Sequence, residues 1–329
     1  MTVTLDELKF DRNIPRGIVH RESIAEVFLT DAAEADGGAI FAAQLPRNHS
    51  YFSDHRGTAT TYDPLLLIEV FRQVAIYYAH TFVEVARSEK FVFGSADFEI
   101  LDADTLSVGA CPGHCLVDAK VIDRKVREGQ TIGLTLEMTA FIEGVPAARE
   151  VMVYQWMPSP VWKRIRSRRR DALGLPAEHR IPEQSHVARL RPGAVGRHNP
   201  RNAILANPSY TGDELNALTI VDTGHPSLFD HALDHVPGML QFEAARQAAM
   251  AAANTSLGLD TSRMVMSRLH IEFTQFGEFE LDTIATATVE PSDDGGATGD
   301  VVLAQGSDVL ARGTVELRLR PADVWTLIQ

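Results

Sequence analysis

The chain carries one sequence pattern twice, and any fold it adopts must accommodate two similar halves. His49, Ser50, Tyr51, Phe52, Ser53, Asp54 and His55 are followed by Glu69, Arg72 and Gln73; His225, Pro226, Ser227, Leu228, Phe229, Asp230 and His231 are followed by Glu243, Arg246 and Gln247. Both copies read H-x4-D-H and then E-x-x-R-Q, an ordered repeat that implies duplication of one domain. His49 and His225 lie 176 residues apart but Glu69 and Glu243 only 174, so the second copy has a small deletion between its histidine and its glutamate. That loop is where the halves are expected to differ in function.

A length of 329 residues suits two domains, each with its own core. The 45% hydrophobic and 23% charged fractions are those of a soluble globular protein. No apolar run approaches the roughly 20 residues that span a bilayer. Met1 to Gly17 holds Asp6, Glu7, Lys9 and Asp11 without an apolar stretch, so a cytoplasmic location is expected and no membrane association. Cys111 and Cys115 are the two cysteines, too few for a disulfide scaffold and without further ligands at metal spacing, so no metal is expected. A net charge of -13 argues against nucleic acid as a partner. One region is nevertheless basic: Lys163, Arg164, Arg166, Arg168, Arg169 and Arg170, then Arg180, Arg189, Arg191, Arg197 and Arg201. The chain thus divides into an extension (1–17), a first domain (18–158), a basic linker (159–205) and a second domain (206–329). The linker reads either as a solvated connector or as a docking patch for an acidic partner, through Arg164, Arg168, Arg169 and Arg170.

Periodicity sets the expected elements. Ser23 to Thr30 and Ala39 to Leu45 read as a hairpin about Gly37-Gly38. Asp63-Pro64 supplies an N-cap followed by the pre-set φ of proline, and Leu65 to about Phe82 continues as a helix apolar on nearly all faces, hence buried. Strands are expected at 91–100, 114–122, 131–141 and 147–156. The second half repeats the order, with a strand at 215–221, an Ala-rich helix from Pro237-Gly238 to about Asn254, and strands at 264–273, 284–289, 301–305 and 309–319. A long buried helix followed by antiparallel strands, twice over, is the α+β double-hotdog architecture: two tandem domains, each a helix wrapped by a curved sheet.

Glu69, Arg72 and Gln73, and likewise Glu243, Arg246 and Gln247, share one helix face at spacings of three and four. Histidine near its ordinary pKa can accept a proton at neutral pH, and a glutamate on a buried helix is expected to have its pKa raised by desolvation. His55, His231, Glu69 and Glu243 are therefore the candidate acid/base residues. Backbone N–H groups at the helix starts, near Pro64 and Gly238, are candidate donors to a thioester oxyanion, Gly238 allowing close approach. Each of these features also has a structural reading, as a turn cap or an internal ion pair.

Asp234-His235-Val236-Pro237-Gly238-Met239-Leu240 with Glu243 resembles the helix start of the hotdog hydroxyacyl-carrier-protein dehydratases, in which a histidine of one subunit works with a helix carboxylate of the other. A longer resemblance runs through Val19-His20-Arg21, Ala25 to Asp31, Asp63 to Leu66 with Glu69 and Arg72-Gln73, Phe229-Asp230-His231, Asp234 to Leu240, and Glu243 to Gln247. It is to the A-factor biosynthesis hotdog family, which makes γ-butyrolactone, furan or butenolide signals of actinobacteria. That resemblance implies transfer of a β-ketoacyl chain from acyl carrier protein to the hydroxyl of dihydroxyacetone phosphate, with no cofactor. By analogy with the dehydratases, His55 is expected to pair with Glu243 and His231 with Glu69 across the halves, Glu243 being the favoured carboxylate because its helix start matches theirs best. Arg72 or Arg246 would grip the phosphate; if both are tied to their own glutamates, Arg47 or Arg56 would. Gln73, Gln247, His49, His225, Asp54, Asp230 and Gly238 complete the expected substrate-binding set. The two halves would form a monomeric pseudo-dimer or assemble as a homodimer. A carrier-protein dehydratase or thioesterase on the same scaffold, and a catalytically silent ligand-binding regulator, are the alternatives.

Overall fold

The computed structural model describes residues 8–55, 60–181 and 187–320. Its strands form one twelve-stranded sheet in which two six-stranded halves meet edge to edge. The first half comprises β1 (Leu29–Ala35), β2 (Gly38–Leu45), β3 (Lys90–Ile100), β4 (Gly113–Arg127), β5 (Gln130–Ile142) and β6 (Val145–Met157). The second comprises β7 (Leu205–Thr211), β8 (Glu214–Thr219), β9 (Met264–Phe273), β10 (Thr283–Pro291), β11 (Ala297–Gln305) and β12 (Asp308–Leu319). The order is β1-β2-β4-β5-β6-β3-β9-β12-β11-β10-β8-β7, the same arrangement read outward from each side of the β3–β9 seam. There Ala96 pairs with Ile271 and Phe98 with Leu269, antiparallel, so the seam is made within one chain.

Each half wraps one long helix, α1 (Pro64–Phe82) or α3 (Gly238–Ser256). Asp63 caps α1 by accepting from the Leu65 N–H at 2.9 Å, and Pro64 occupies the first turn, as the sequence requires. The helix is buried from Pro64 through Ala79 save for Arg72 and Tyr77, because its apolar residues leave no face for water. In α3 small side chains let the sheet close in: a Cβ on Gly299 of β11 would lie 3.1 Å from that of Ala249. The start of α3 carries no side-chain cap.

Three stretches differ from expectation. Ser23 to Thr30 is not one strand; Ser23 accepts from the Ala25 N–H, the chain turns through Ile24–Glu26, and β1 begins at Leu29. Residues 159–172, expected to be linker, form the helix α2 (Ser159–Ala172), whose buried face carries Trp162, Arg166 and Arg170. Arg166 and Arg170 are neutralised by Glu278 at 2.5 and 2.7 Å, and Trp162 packs on Phe276 with ring centroids 4.7 Å apart. Charged residues thus form an inward face because their partners lie far along the chain. Residues 205–211, placed at the edge of the linker, are strand β7.

Candidate functional site

Two polar clusters sit on the two long helices, and the cap of α1 reaches the one on α3. In the first, Glu69 of α1 is fully buried and held by three side chains. Arg21 donates from Nε to Oε1 at 3.0 Å, Arg72 from Nε to Oε2 at 2.8 Å, and Gln73 from Nε2 to Oε1 at 2.7 Å. Gln73 also accepts from the Phe28 N–H and donates to the Glu26 carbonyl, which fixes the segment entering β1.

The second cluster copies the first. Glu243 is fully buried and accepts from Arg197 Nε and Nη2 at 3.0 and 2.9 Å, from Arg246 at 2.5 Å, and from Gln247. Gln247 in turn accepts from the Ile204 N–H and donates to the Asn202 carbonyl. The 176-residue offset that relates His49 to His225 also relates Arg21 to Arg197 and Phe28 to Ile204, so the repeat extends well upstream of the first histidine.

The copies differ in one carboxylate. Asp63, the α1 cap, reaches into the second cluster and accepts from Arg246 at 2.6 Å and Arg197 at 3.3 Å; its counterpart 174 residues on is Pro237, which has no charge. Arg197 and Arg246 therefore share two buried carboxylates, whereas Arg21 and Arg72 share Glu69, with Asp230 4.0 Å from Arg21. The electrostatics follow. For Arg246, burial works against the charge but Asp63 and Glu243 more than compensate, and its pKa rises. For Arg72, burial outweighs Glu69, and Arg21 adds repulsion, so its pKa falls. Arg72 is the less neutralised guanidinium, in the half whose facing helix start is uncapped.

The histidines cross between halves. Burial lowers the pKa of His231, from the second half, and Arg72 and Arg21 of the first lower it further. Burial likewise lowers His55, with Arg197 and Arg246 of the second half among its charged neighbours. His55 lines one cleft with Arg197 and Arg246 and feels Asp63, which opposes their effect, while His231 lies 3.7 Å from its neighbour Asp230, which opposes that of Arg72 and Arg21. Both imidazoles are unprotonated at neutral pH. A cleft of about 30 Å³ adjoins the second cluster, between His55, Arg197 and Arg246 on one side and Met250, Met264 and Met266 on the other. Its volume is that of about one or two water molecules.

Several expected roles change. Glu69 does not have a raised pKa: burial pushes it up, but Arg21 and Arg72 overcome this and hold it at about 2. It and Glu243 anchor guanidiniums. The Nδ1 of His49 accepts from the Tyr51 and Phe52 N–H groups, and that of His225 from Ser227 and Leu228, so both organise turns. Asp54 and Asp230 are cross-half staples: Asp54 accepts from the His198 and Asn199 N–H groups, Asp230 from those of Glu22 and Ser23. The Leu65 N–H is used by Asp63, which leaves the α3 start as the open one. A Cβ on Gly238 would meet only Phe273 at 3.8 Å. Arg72 and Arg246 are each tied to their own glutamate, the condition under which Arg47 or Arg56 was expected to hold phosphate; Arg47 is exposed, and Arg56 lies outside the described residues. Of the basic run, Arg170 is buried against Glu278 and Glu280 and Arg169 bonds Asp308, leaving Lys163, Arg164 and Arg168 exposed. Arg197, assigned to the linker, and Arg21 were missing from the candidate set; carrying the 176-residue offset upstream finds both.

Because the folded pKa of Glu69 is below its ordinary 4.5, its ion pairs stabilise the fold above that pH and are lost as pH falls towards 2. About 3 kcal/mol of stability is expected to disappear over this window. Urea unfolding from pH 5 to 2 measures it, and a Glu69→Gln protein with an equally steep profile would assign the loss elsewhere.

Comparison with known proteins adds to this geometry. The family model described as the A-factor biosynthesis hotdog domain matches residues 4–158 and 180–321. The chain is 32% identical over 285 residues to a 2-oxo-3-(phosphooxy)propyl 3-oxoalkanoate synthase of Streptomyces virginiae, covering 86% of this chain and 90% of the relative. A relative of the same name in Streptomyces coelicolor is 28% identical over 286 residues, covering 87% of this chain and 85% of the relative. Among solved structures, the dehydratase domain of PpsC from Mycobacterium tuberculosis, in complex with C12:1-CoA, matches with a TM-score of 0.51 and 11% identity, covering 89% of this chain and 98% of that one. That last likeness speaks for the fold alone.

Proposed function

Because the chain belongs to the A-factor biosynthesis hotdog family, we propose that it transfers a β-ketoacyl group from a carrier-protein thioester to the hydroxyl of dihydroxyacetone phosphate. The product would be a 2-oxo-3-(phosphooxy)propyl 3-oxoalkanoate, the ester in the relatives' name. One observation supports the reading: each histidine loop docks against the other half's clamp, Asp230 lying 4.0 Å from Arg21 and the Tyr51 and Asp54 carbonyls accepting from Arg197. Arg72, whose Nε and Nη2 are held by Glu69, would offer its remaining Nη1 to the phosphate dianion, being the clamp arginine that shares one carboxylate rather than two. The uncapped N–H groups at the start of α3, brought to the first cluster by the pseudo-symmetry that carries Asp63 onto Pro237, would stabilise the thioester oxyanion. Unprotonated imidazoles beside the arginines, His231 and His20 in the first cluster and His55 in the second, can take up the hydroxyl proton. Glu69 and Glu243 position these groups. No nucleophilic side chain is needed, because the acceptor oxygen attacks the carbonyl directly. Such chemistry makes the protein an enzyme of autoregulator biosynthesis.

The test is mass spectrometry of products formed by purified protein, β-ketoacyl carrier protein and dihydroxyacetone phosphate. The phosphorylated ester supports transfer. Free β-keto acid would mean a thioesterase, an enoyl product from hydroxyacyl carrier a dehydratase, and tight acyl binding without turnover a silent binding protein.

The carrier would dock on α2. Arg164 and Arg168 lie one turn apart on its exposed face beside Lys163, and carrier proteins are acidic. Arg164→Glu with Arg168→Glu is expected to raise KM for the carrier thioester by about tenfold, on the order of 1.4 kcal/mol, without changing KM for dihydroxyacetone phosphate. If only the acceptor KM moves, the carrier docks elsewhere.

A further inference from the structure

We infer that His20 is the general base for the acceptor hydroxyl, and hence that the reaction runs in the first cluster. This rests on the acyl-transfer reading and adds a catalytic residue to it. His80 Nδ1 lies 2.7 Å from the Val85 carbonyl oxygen. A carbonyl only accepts, so that nitrogen carries the proton, and Nε2 of neutral His80 is a lone pair. It lies 2.8 Å from His20 Nε2, which must therefore be the donor. The His20 proton is fixed on Nε2, and Nδ1 is left as a basic lone pair with no hydrogen-bonding partner among the described residues. Phe91 packs edge-on against both rings, at 5.3 and 5.1 Å, and holds them in line.

The second half separates structural duty from function. At the 174-residue offset His80 and Val85 become Asn254 and Leu259, and Asn254 Nδ2 donates to the Leu259 carbonyl at 2.9 Å. The helix-end bond thus survives without imidazole. What is lost is the second ring nitrogen, together with its partner: at the 176-residue offset His20 becomes Gly196. Both positions are left-handed, with φ of 53° at His20 and 71° at Gly196. Glycine takes that conformation freely and a histidine does not, so His20 occupies a position whose backbone favours glycine. In the second half a Cβ at Gly196 would stand 2.9 Å from Met250 Cε, so methionine fills the space where the imidazole would be. The base exists in one copy.

In the reaction the acceptor O–H bond breaks, its proton passing to His20 Nδ1 as the oxygen bonds to the thioester carbonyl carbon. Collapse of the tetrahedral intermediate breaks C–S, and the departing carrier thiolate takes that proton from His20. Burial keeps free His20 unprotonated, with a pKa of about 3, and His80, Arg72, His231 and Lys90 add to the effect. A phosphate dianion on Arg72 would offset that guanidinium's share of the effect, so base strength rises when the acceptor is bound.

His20→Gly should lower kcat by about 10²-fold or more, leave KM for dihydroxyacetone phosphate nearly unchanged, and melt no lower than the parent, since glycine suits the backbone. Added imidazole should restore part of the rate. His20→Asn, which tolerates the same φ, should be equally slow and without rescue. His80→Phe keeps the ring packing but removes the acceptor, and should lower kcat with KM intact and displace the pH–rate profile. If His20→Gly keeps kcat within about threefold of the parent, far from the acid/base range, the inference is overturned. It is also overturned if kcat and melting temperature fall together and imidazole rescues nothing. A parent that forms no ester overturns the acyl-transfer reading as well, whereas an active parent with a fully active His20→Gly overturns only the base.

Discussion

Arg197→Ala is expected to lose about 3–5 kcal/mol of stability, the range for breaking a buried ion pair by removing one partner. Arg197 is 1% exposed and its guanidinium is fully engaged: Nε and Nη2 bond Glu243, while Nη1 donates to the Tyr51 and Asp54 carbonyls at 2.9 and 3.1 Å and lies 3.3 Å from Asp63. It also stacks over the Tyr51 ring at 4.6 Å. Truncation leaves two buried carboxylates on Arg246 alone and two loop carbonyls unpaired, and opens a cavity between the halves. The melting temperature should fall by on the order of 10 °C. Arg197→Lys should recover little, because a point ammonium cannot reproduce the fork or the stack. Exposed Arg191, six residues upstream, is the control, and its alanine variant should change stability by no more than about 0.5 kcal/mol. An Arg197→Ala protein that melts with the parent would mean that this network does not join the halves.

This residue also marks where sequence reasoning stops. The helices were legible because their signals are local: Asp63-Pro64 announces the cap of α1, and the apolar run behind it excludes water from nearly every face. The Leu269-His270-Ile271-Glu272-Phe273 end of strand β9 could be read from its alternation. The duplicated pattern placed the arginine-glutamate pairs on one helix face, and their spacing kept the internal ion pair open as a reading. What local signals cannot carry is the sign of the Glu69 shift, which depends on Arg21 arriving from 48 residues upstream. Helix α2 was hidden for the same reason. Its inward positions 162, 166 and 170 keep helical spacing, but two are arginines, apolar only in effect once Glu278 has neutralised them from 112 and 108 residues away. A basic run reads as solvated until its partner is known.

Arg72→Met is expected to reduce kcat/KM for dihydroxyacetone phosphate by about 10²-fold, on the order of 3 kcal/mol, the scale of losing one charge-assisted hydrogen bond from Nη1 to a dianion. The effect should fall mainly on the acceptor KM. Arg72→Lys should recover part of it, since an ammonium supplies charge without the planar fork. The mirror change, Arg246→Met, provides the comparison. Arg246 is committed to Asp63 and Glu243, so its loss should cost stability while the folded fraction keeps most of its turnover. Duplicated clusters with one extra carboxylate in the second thus predict opposite phenotypes for arginines at equivalent positions. Kinetics normalised to folded protein distinguishes them. If Arg72→Met spares the acceptor KM and instead raises that for the carrier thioester, the guanidinium faces the acyl donor. If both variants lose turnover equally, the halves act as one site and the asymmetry set by Asp63 has no catalytic meaning.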